Sequence, residues 1–464
     1  MPSIVRSIDA RGLFERFDIQ MKFRPDLNVI YGQNGTGKTT LLHILANALS
    51  GDFARFSYLQ FEFIDIELDD CNIHIERDTD TIAIDMDDGG RQEILISDVR
   101  FQDKKMNEEE MSATQRTNFG PLPTAYFPAF RTMIEAWESI GRQTHLYRGP
   151  DLDLRQSRYV DRSLSMTQFA RELFGPFVPK LNFPSPFEIE RRLSTELEVA
   201  LLELSQTDRQ LLNKAFTEVF AALSDSSEDD AGDEKSVDRI LEEIRALFDQ
   251  LKEFPRMDTH ISDGVTKLQP SAEVFGALYE QVQSFKVTQR NRQPVVPILK
   301  VYRRILKARI DAQEKVFKKI ENYLDSVNEF LTVSDFHTNK RIGFSLSVRD
   351  RSRRPVEIQF LDNTSIRGLN ALSSGERQIV TLIYAATHMS KEKVILIDEP
   401  EISLHVDWQR MLFQKMRHQL KDQQIIACTH SLIIGADYDE TEIELTPIPS
   451  ISLDGRHMKA SLEV

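Results

Sequence analysis

Over roughly the first hundred residues the chain alternates apolar and polar positions with a period of two, interrupted by short polar turns. IVRSID (4–9), FDIQMKF (17–23), LQFEFIDIEL (59–68), NIHIER (72–77), TIAIDM (81–86) and QEILIS (92–97) each read as a half-buried strand, with a turn at Asp88-Gly89-Gly90. LNVIY (27–31), TAYF (124–127), VILI (394–397) and QIIACT (424–429) are instead almost continuously apolar. That is the pattern of strands buried on both faces of a parallel sheet. Between about 150 and 332 the period lengthens to three and four. Val237, Ile240, Leu241, Ile244, Leu247, Phe248 and Leu251 form one helical stripe, and Val301, Ile305, Val316, Phe317, Ile320, Tyr323, Leu324 and Val327 form another. Both stripes read as core. DKKMNEEEMSATQRTN (103–118) is too polar to pack and is expected to be a mobile loop, and SDSSEDDAGDEK (224–235) to be a disordered hinge between helices. GFSLSV (343–348) and VEIQFL (356–361) read as strands joined by a connection that carries Arg349, Arg351, Arg353 and Arg354. There are no internal repeats.

The first candidate chemistry follows LNVIY directly. Gly32, Gln33, Asn34, Gly35, Thr36, Gly37, Lys38 and Thr39 fit the phosphate-loop pattern G-x-x-x-x-G-K-[ST], and Thr39 and Thr40 open the helical run TTLLHILANAL. The glycines let backbone N–H groups point at phosphates, Lys38 reaches the β/γ oxygens, and Thr39 offers a hydroxyl to Mg2+. The pattern therefore predicts a nucleotide site.

VILI ends in Asp398 and Glu399, where Asp398 is a candidate Mg2+ ligand and Glu399 a candidate to polarise an attacking water. Taken alone, this segment reads equally well as a strand that stops at a polar turn. Ser373, Ser374, Gly375 and Glu376 form a small-residue turn opening the helical run ERQIVTLIYAATHM, a second candidate anion site. The strand QIIACT ends at His430, whose imidazole can hydrogen-bond a γ-phosphate. Arg131 comes just after TAYF-Pro128 and by itself reads as a surface arginine.

In this order, the phosphate loop, LSSGERQ, ILIDEPE, ISLHVDWQ and THS resemble the ATP-binding-cassette ATPases. The resemblance is nearest to the soluble branch with structural-maintenance-of-chromosomes-like heads, and to ATPases of the overcoming-lysogenization-defect, Septu and PARIS antiphage types. It covers about the first 130 and the last 130 residues. The resemblance implies an α/β head, a phosphate-loop parallel sheet plus an antiparallel β-layer, with a large helical, short coiled-coil insertion. Residues 1–150 are then the N-terminal half of the head, 151–332 the insertion and 333–464 the C-terminal half. It implies ATP and Mg2+ as cofactors, Glu399 as catalytic base, His430 as switch histidine and residues 403–407 as the loop linking two sites. In related ATPases a strand such as TAYF lies beside the nucleotide, which makes Arg131 a candidate phosphate contact, as open as its reading as a surface arginine. It also implies that Ser373 and Gly375 reach the γ-phosphate held by a second copy, in a homodimer of ATP-sandwiched heads or a higher homo-oligomer such as a hexamer. The signature departs from L-S-G-G-Q at Ser374 and Glu376, which puts a carboxylate near that phosphate region.

Composition narrows the remaining choices. No apolar run approaches the roughly 18 residues needed to span a bilayer, and the N-terminus lacks a secretion signal, so a cytoplasmic protein is expected. Cys71 and Cys428 are far apart, against a structural disulfide or a zinc hook. A net charge of −15 disfavours indiscriminate coating of nucleic acid. A local stretch of Lys286, Arg290, Arg292, Lys300, Arg303, Arg304, Lys307 and Arg309 reads either as a solvated helix face or as a dock for nucleic acid or an acidic partner. About 34 residues follow His430, too few for the nuclease domain that overcoming-lysogenization-defect proteins append, and the histidines form no nuclease-like cluster. A separate nuclease effector and a phage-encoded trigger are therefore expected of a defence ATPase without nuclease activity of its own. A DNA-clamping repair ATPase, similar to recombination mediators, is the alternative.

Overall fold

The alternating runs and the continuous apolar runs sort into different sheets. The computed structural model describes residues 4–87, 90–99, 121–131, 162–224, 234–253, 277, 280–281, 292–332, 340–344, 356–360, 365–389, 392–419, 423–435 and 442–449. The polar run 103–118, most of the acidic run 224–235, Lys286, Arg290 and the connection carrying Arg349 to Arg354 lie outside the described residues. In chain order come β1 (Val5–Leu13), β2 (Phe17–Lys22), β3 (Leu27–Tyr31), helix α1 (Lys38–Ser50), β4 (Phe63–Leu68), β5 (Asn72–Arg77), β6 (Thr81–Met86) and β7 (Gly90–Leu95). They are followed by β8 (Thr124–Phe127) and the helices α2 (Arg162–Phe174), α3 (Pro186–Ser224), α4 (Glu234–Glu253) and α5 (Arg292–Thr332). The remainder is β9 (Lys340–Phe344), β10 (Val356–Phe360), β11 (Ser365–Arg367), α6 (Ser374–His388), β12 (Val394–Asp398), α7 (Val406–Gln419), β13 (Gln424–Thr429), β14 (Glu442–Glu444) and β15 (Ile448–Pro449).

The chain divides into two units, Met1–Ser185 with Leu382–Val464, and Pro186–Thr381. The second unit therefore takes in the small sheet β9 to β11 and the start of α6 as well as the helices.

In the first unit the four continuously apolar runs and a fifth strand, β14, at the edge form one parallel sheet in the order β14-β3-β13-β12-β8. Every residue of β8, β12 and β13 is buried, as a sheet covered on both faces requires. The order places β13 between the phosphate-loop strand and β12, so all three strand ends open at one edge of the sheet. The alternating runs form a seven-stranded antiparallel sheet, β15-β2-β1-β4-β5-β6-β7, with isoleucines such as Ile64, Ile66, Ile73, Ile75, Ile82 and Ile84 on its buried face. This is an α/β head of parallel sheet plus antiparallel layer.

One side chain ties the two layers. Gln424, fully buried at the start of β13, donates from Nε2 to the carbonyls of Val5 (2.9 Å) and Arg24 (2.7 Å) and accepts from the Val5 N–H (2.9 Å). Asn28 donates to the carbonyls of Arg24 (3.0 Å) and Ile425 (3.3 Å) in the same seam.

In the second unit α3 and α5, of 39 and 41 residues, run antiparallel. Their direction follows from the pairs Glu196–Lys319, Asp208–Arg309 and Glu218–Arg304. α4 closes an apolar core with them, centred on Ile240, Ile244, Phe248, Leu299, Ile305 and Leu306. Within that packing Arg309 and Asp208 form an ion pair at 2.9 Å with side chains 1% and 0% exposed; desolvation pulls the guanidinium pKa down and Asp208 opposes it. Arg303 pairs with Glu243 at 2.7 Å, and Arg304 with Glu218. Three cations of the basic stretch are thus matched by acids of neighbouring helices, and Arg309, being buried, is corrected from either surface reading of that stretch. At its end α5 grips the small sheet through Asn328, which donates to the Ile342 carbonyl (3.0 Å) and accepts from the Ile342 N–H (2.7 Å).

Truncation at Gln424 removes the side-chain partner of the buried Val5 N–H and carbonyl, each at a cost of order 1 kcal/mol or more, while the Arg24 carbonyl keeps its bond from Asn28. Gln424→Ala is expected to destabilise the protein by about 2–4 kcal/mol, read as a lower urea midpoint, and a midpoint equal to wild type would show that this seam carries no stability.

Candidate functional site

The loop after β3 needs a backbone that bends without side chains. Gly35 and Gly37 sit at φ values of 82° and 92°, and a β-carbon on Gly37 would lie 3.1 Å from the Phe17 ring and 3.3 Å from Ile19. Glycine at 37 therefore serves both conformation and space. α1 starts at Lys38 with no acid in its first turn and no side-chain cap, so its first N–H groups remain directed into the loop.

Lys38 is folded back over the loop, donating to the carbonyls of Gly32 (2.7 Å) and Gln33 (2.8 Å). Burial lowers its pKa, while Asp398, Glu399 and Glu401 oppose that shift. Thr39 donates its hydroxyl to Asp398 Oδ2 at 2.9 Å, which brings residues 359 apart in sequence into one small oxygen cluster. Asp398 is 2% exposed, and desolvation pushes its carboxyl up to about 6 against the hydrogen bond from Thr39 and the charge of Arg131. Both groups are hard oxygen donors, suited to a Mg2+ that keeps most of its shell for water and phosphate.

Glu399 follows in a left-handed backbone conformation (φ 47°), disfavoured for a residue with a β-carbon by about 1–2 kcal/mol. Its N–H donates to the Cys428 carbonyl at 2.8 Å, and its Oε1 lies 3.6 Å from His430 Nε2, both side chains about one-third exposed. Glu401 accepts from the His430 N–H at 2.7 Å, a contact that no periodicity could show. Gln409 completes the link, accepting from Ser431 Oγ (2.7 Å) and donating to the Leu404 carbonyl (3.1 Å). The 403–407 loop and the His430 turn are thereby joined. Cys428 is fully buried, and desolvation raises its thiol pKa, as expected of a small core residue.

A cleft of about 310 Å³ is lined by Gly35, Gly37, Lys38, Thr39, Thr40 and His430. Phe14 and Arg16, from the turn between β1 and β2, and Phe17, which opens β2, complete its lining. Sequence reasoning missed these three. Phe14 is 45% exposed, and exposed aromatics beside an arginine at a tight turn were the only available signal.

Arg131 is neither a surface residue nor part of the cleft wall. It is 1% exposed, and its guanidinium donates to the carbonyls of Pro128 (2.8 Å), Asp398 (3.1 Å) and Glu399 (3.2 Å). The sequence expectation of a phosphate contact is corrected by this burial, because the fork is committed to backbone oxygens.

Ser373, Ser374, Gly375 and Glu376 lie in the second unit, at the start of α6. Glu376 turns back on its own helix end: Oε2 accepts from the Ser373 N–H (2.6 Å) and from Lys340 Nζ (3.0 Å), and the Glu376 N–H donates to Ser373 Oγ (3.4 Å). This is a reciprocal Ser-x-x-Glu cap. The departure from L-S-G-G-Q thus supplies a neutralised cap, with the carboxylate charge matched by Lys340.

A family model described as the AAA ATPase domain matches residues 187–434, a span that contains Ser373 to Glu376, Asp398, Glu399 and His430 and begins after the phosphate loop. No curated protein matches the chain. Among solved structures, the Smc head domain with an extended coiled coil bound to the C-terminal domain of ScpA, from Pyrococcus furiosus, is similar at 13% identity. That alignment covers 97% of this chain and 95% of that one, with a TM-score of 0.39. The Smc head domain with a coiled coil and joint from Pyrococcus yayanosii aligns at 13% identity over 95% of each chain, with a TM-score of 0.34. An SmcHead bound to the C-winged helix domain of ScpA aligns at 10% identity over 96% of this chain and 97% of that one, with a TM-score of 0.39.

The raised Asp398 carboxyl gives a pH prediction. With its carboxyl pushed up to about 6, Asp398 is partly protonated at mildly acidic pH, and a metal ion requires the carboxylate, so binding of preformed Mg·ATP is expected to release part of a proton there. Release should fade as pH rises to about 8, and affinity should fall as pH drops below about 6. Calorimetry in buffers of differing ionisation enthalpy measures this release, and Asp398→Asn should remove the protein's share of it.

Proposed function

The chain belongs to the AAA ATPase domain family, and from that premise we propose that it is the ATP-binding and ATP-hydrolysing sensor and scaffold subunit of a bacterial antiphage system, controlling a separate nuclease effector. The observation that carries the ATPase part is the convergence of Lys38, Thr39, Asp398, Glu399 and His430 at one end of the parallel sheet. The defence part rests on the motif order LSSGERQ, ILIDEPE, ISLHVDWQ and THS, which resembles the PARIS and Septu ATPases, and on the acidic balance of the chain.

In this reading the phosphates of ATP lie along residues 32–40, and Lys38 leaves the Gly32 and Gln33 carbonyls to meet the β/γ oxygens. Thr39 and Asp398 hold Mg2+, which supplies charge neutralisation at those oxygens. Glu399 accepts the proton of the attacking water, and His430, within reach of Glu399, orients the γ-phosphate. Phe14, Phe17 and Arg16 face the base and sugar end of the cleft. Ser373 and Gly375 of a second copy complete the site, so ATP closes a homodimer, and higher oligomers such as a hexamer assemble from it. Nucleotide occupancy then sets the shape that restrains the effector until a phage-encoded trigger arrives.

Lys38→Ala is expected to weaken Mg·ATP binding by about 100-fold or more, and Glu399→Gln to bind ATP yet hydrolyse it about 100-fold more slowly. Mixing Lys38→Ala with Ser373→Arg chains should restore one working site per dimer. Without recovery, the sites are self-contained. Phage challenge tests the biology: protection should need this chain together with its genomic neighbour and should be lost with either Lys38→Ala or Glu399→Gln. Protection by this chain alone, metal-dependent nicking of DNA by the purified chain, or tight ATP-dependent duplex binding, the mark of a repair clamp, would overturn the scaffold reading.

A further inference from the structure

We propose that Arg131 is a positioning residue for hydrolysis, acting through Glu399 by fixing the two carbonyls that set the backbone of the catalytic end of β12. The inference rests on the reading of Glu399 as the base.

The need for such a residue follows from the strand ladder. β8 pairs with β12 in parallel register up to Phe127 opposite Ile397, so the next residue in line beside Asp398 is Pro128. Proline has no N–H and cannot continue the ladder. At the same place the chain must leave the sheet with Glu399 at φ 47°, a conformation that its β-carbon disfavours and that persists only where the surroundings hold it. On the β13 side, the Glu399 N–H is fixed on the Cys428 carbonyl at 2.8 Å. On the β8 side, Arg131 takes over where the ladder fails, because its planar fork reaches the Pro128, Asp398 and Glu399 carbonyls together. A lysine ammonium is a point donor without that planar span. Phe130, next to Arg131, stacks on Phe174 of α2 at 3.9 Å between ring centroids, which anchors the turn itself.

With both carbonyls and the N–H held, the Glu399 carboxylate is directed toward His430, itself a residue of the cleft lining. Loss of the fork frees the peptide after Asp398 to relax out of the left-handed region. The carboxylate would then be displaced from the water it must deprotonate, and phosphate binding along residues 32–40 would be untouched.

The test is a double-mutant cycle on the full chain, measuring kcat and Mg·ATP affinity for Arg131→Met, Glu399→Gln and the pair. At about pH 8, where the Asp398 carboxyl is ionised even without the Arg131 charge, Arg131→Met is expected to lower kcat by about 10- to 50-fold with affinity within about threefold of wild type. In the Glu399→Gln background the same change should alter the residual rate by less than about twofold, because the group it positions is already disabled. Arg131→Lys should rescue the rate only in part. Should Arg131→Met fail to fold, Arg131→Gln, which keeps one donor, carries the same cycle. An affinity loss of about tenfold or more in both backgrounds would restore the phosphate-contact role, and an equal proportional rate loss in both would show action independent of Glu399; either overturns the proposal. A wild-type rate for Arg131→Met beside a slow Glu399→Gln overturns the positioning role alone. A wild-type rate for Glu399→Gln by itself overturns the base assignment and this inference with it.

Discussion

Asp398 ends a strand buried on both faces, and the desolvation of its carboxyl, pushed up to about 6, is the cost around which the site is organised. A buried acid is tolerated when hydrogen bonds and nearby cations favour its charged form. Thr39 supplies the bond, and Arg131 and Lys38 supply positive charge from different elements. The same carboxylate that is costly to bury is the group a hard cation would engage, so the energetic penalty and the binding capacity share one origin.

Around that carboxylate, each strand end of the parallel sheet contributes a different kind of group. β3 delivers glycines and N–H donors, β12 the two acids, β13 an imidazole and β8 a buried guanidinium. The arrangement depends on the order β3-β13-β12-β8, because Glu399 can hydrogen-bond Cys428 and approach His430 only if β13 is its neighbour. The Gln424 seam then fixes the start of β13 against the antiparallel layer, which also carries the Phe14 to Phe17 turn that faces the phosphate loop.

In the second unit the signature turn has its own support. Asn328 holds β9 at Ile342, Lys340 of that strand meets Glu376, and Glu376 caps the helix end at Ser373. The Tyr323 hydroxyl reaches the Val380 carbonyl one helix turn further on, at 3.1 Å. The long helix α5 is therefore bonded at its end both to the strand behind the signature and to the helix that carries it.

Periodicity alone separated half-buried from fully buried strands, because a sheet with one covered face must alternate and a sheet with two need not. The G-x-x-x-x-G-K-[ST] spacing likewise located the phosphate loop, since few other sequences bend a backbone around phosphates. The amphipathic stripes from Val237 to Leu251 and from Val301 to Val327 marked α4 and α5, whereas no stripe singled out α2 or the long helix α3. What only the tertiary structure decided concerns contacts between residues far apart in the chain. The burial of Arg131 against the Asp398 and Glu399 carbonyls, the pairing of Glu376 with Lys340 and of Arg309 with Asp208, and the placing of Phe14 and Arg16 around the same cleft as Lys38 belong to this class. A charged residue reads the same in sequence whether it faces water or a buried carbonyl. Its role is set by desolvation and by partners that the folded chain brings to it, and neither is encoded in its immediate neighbours.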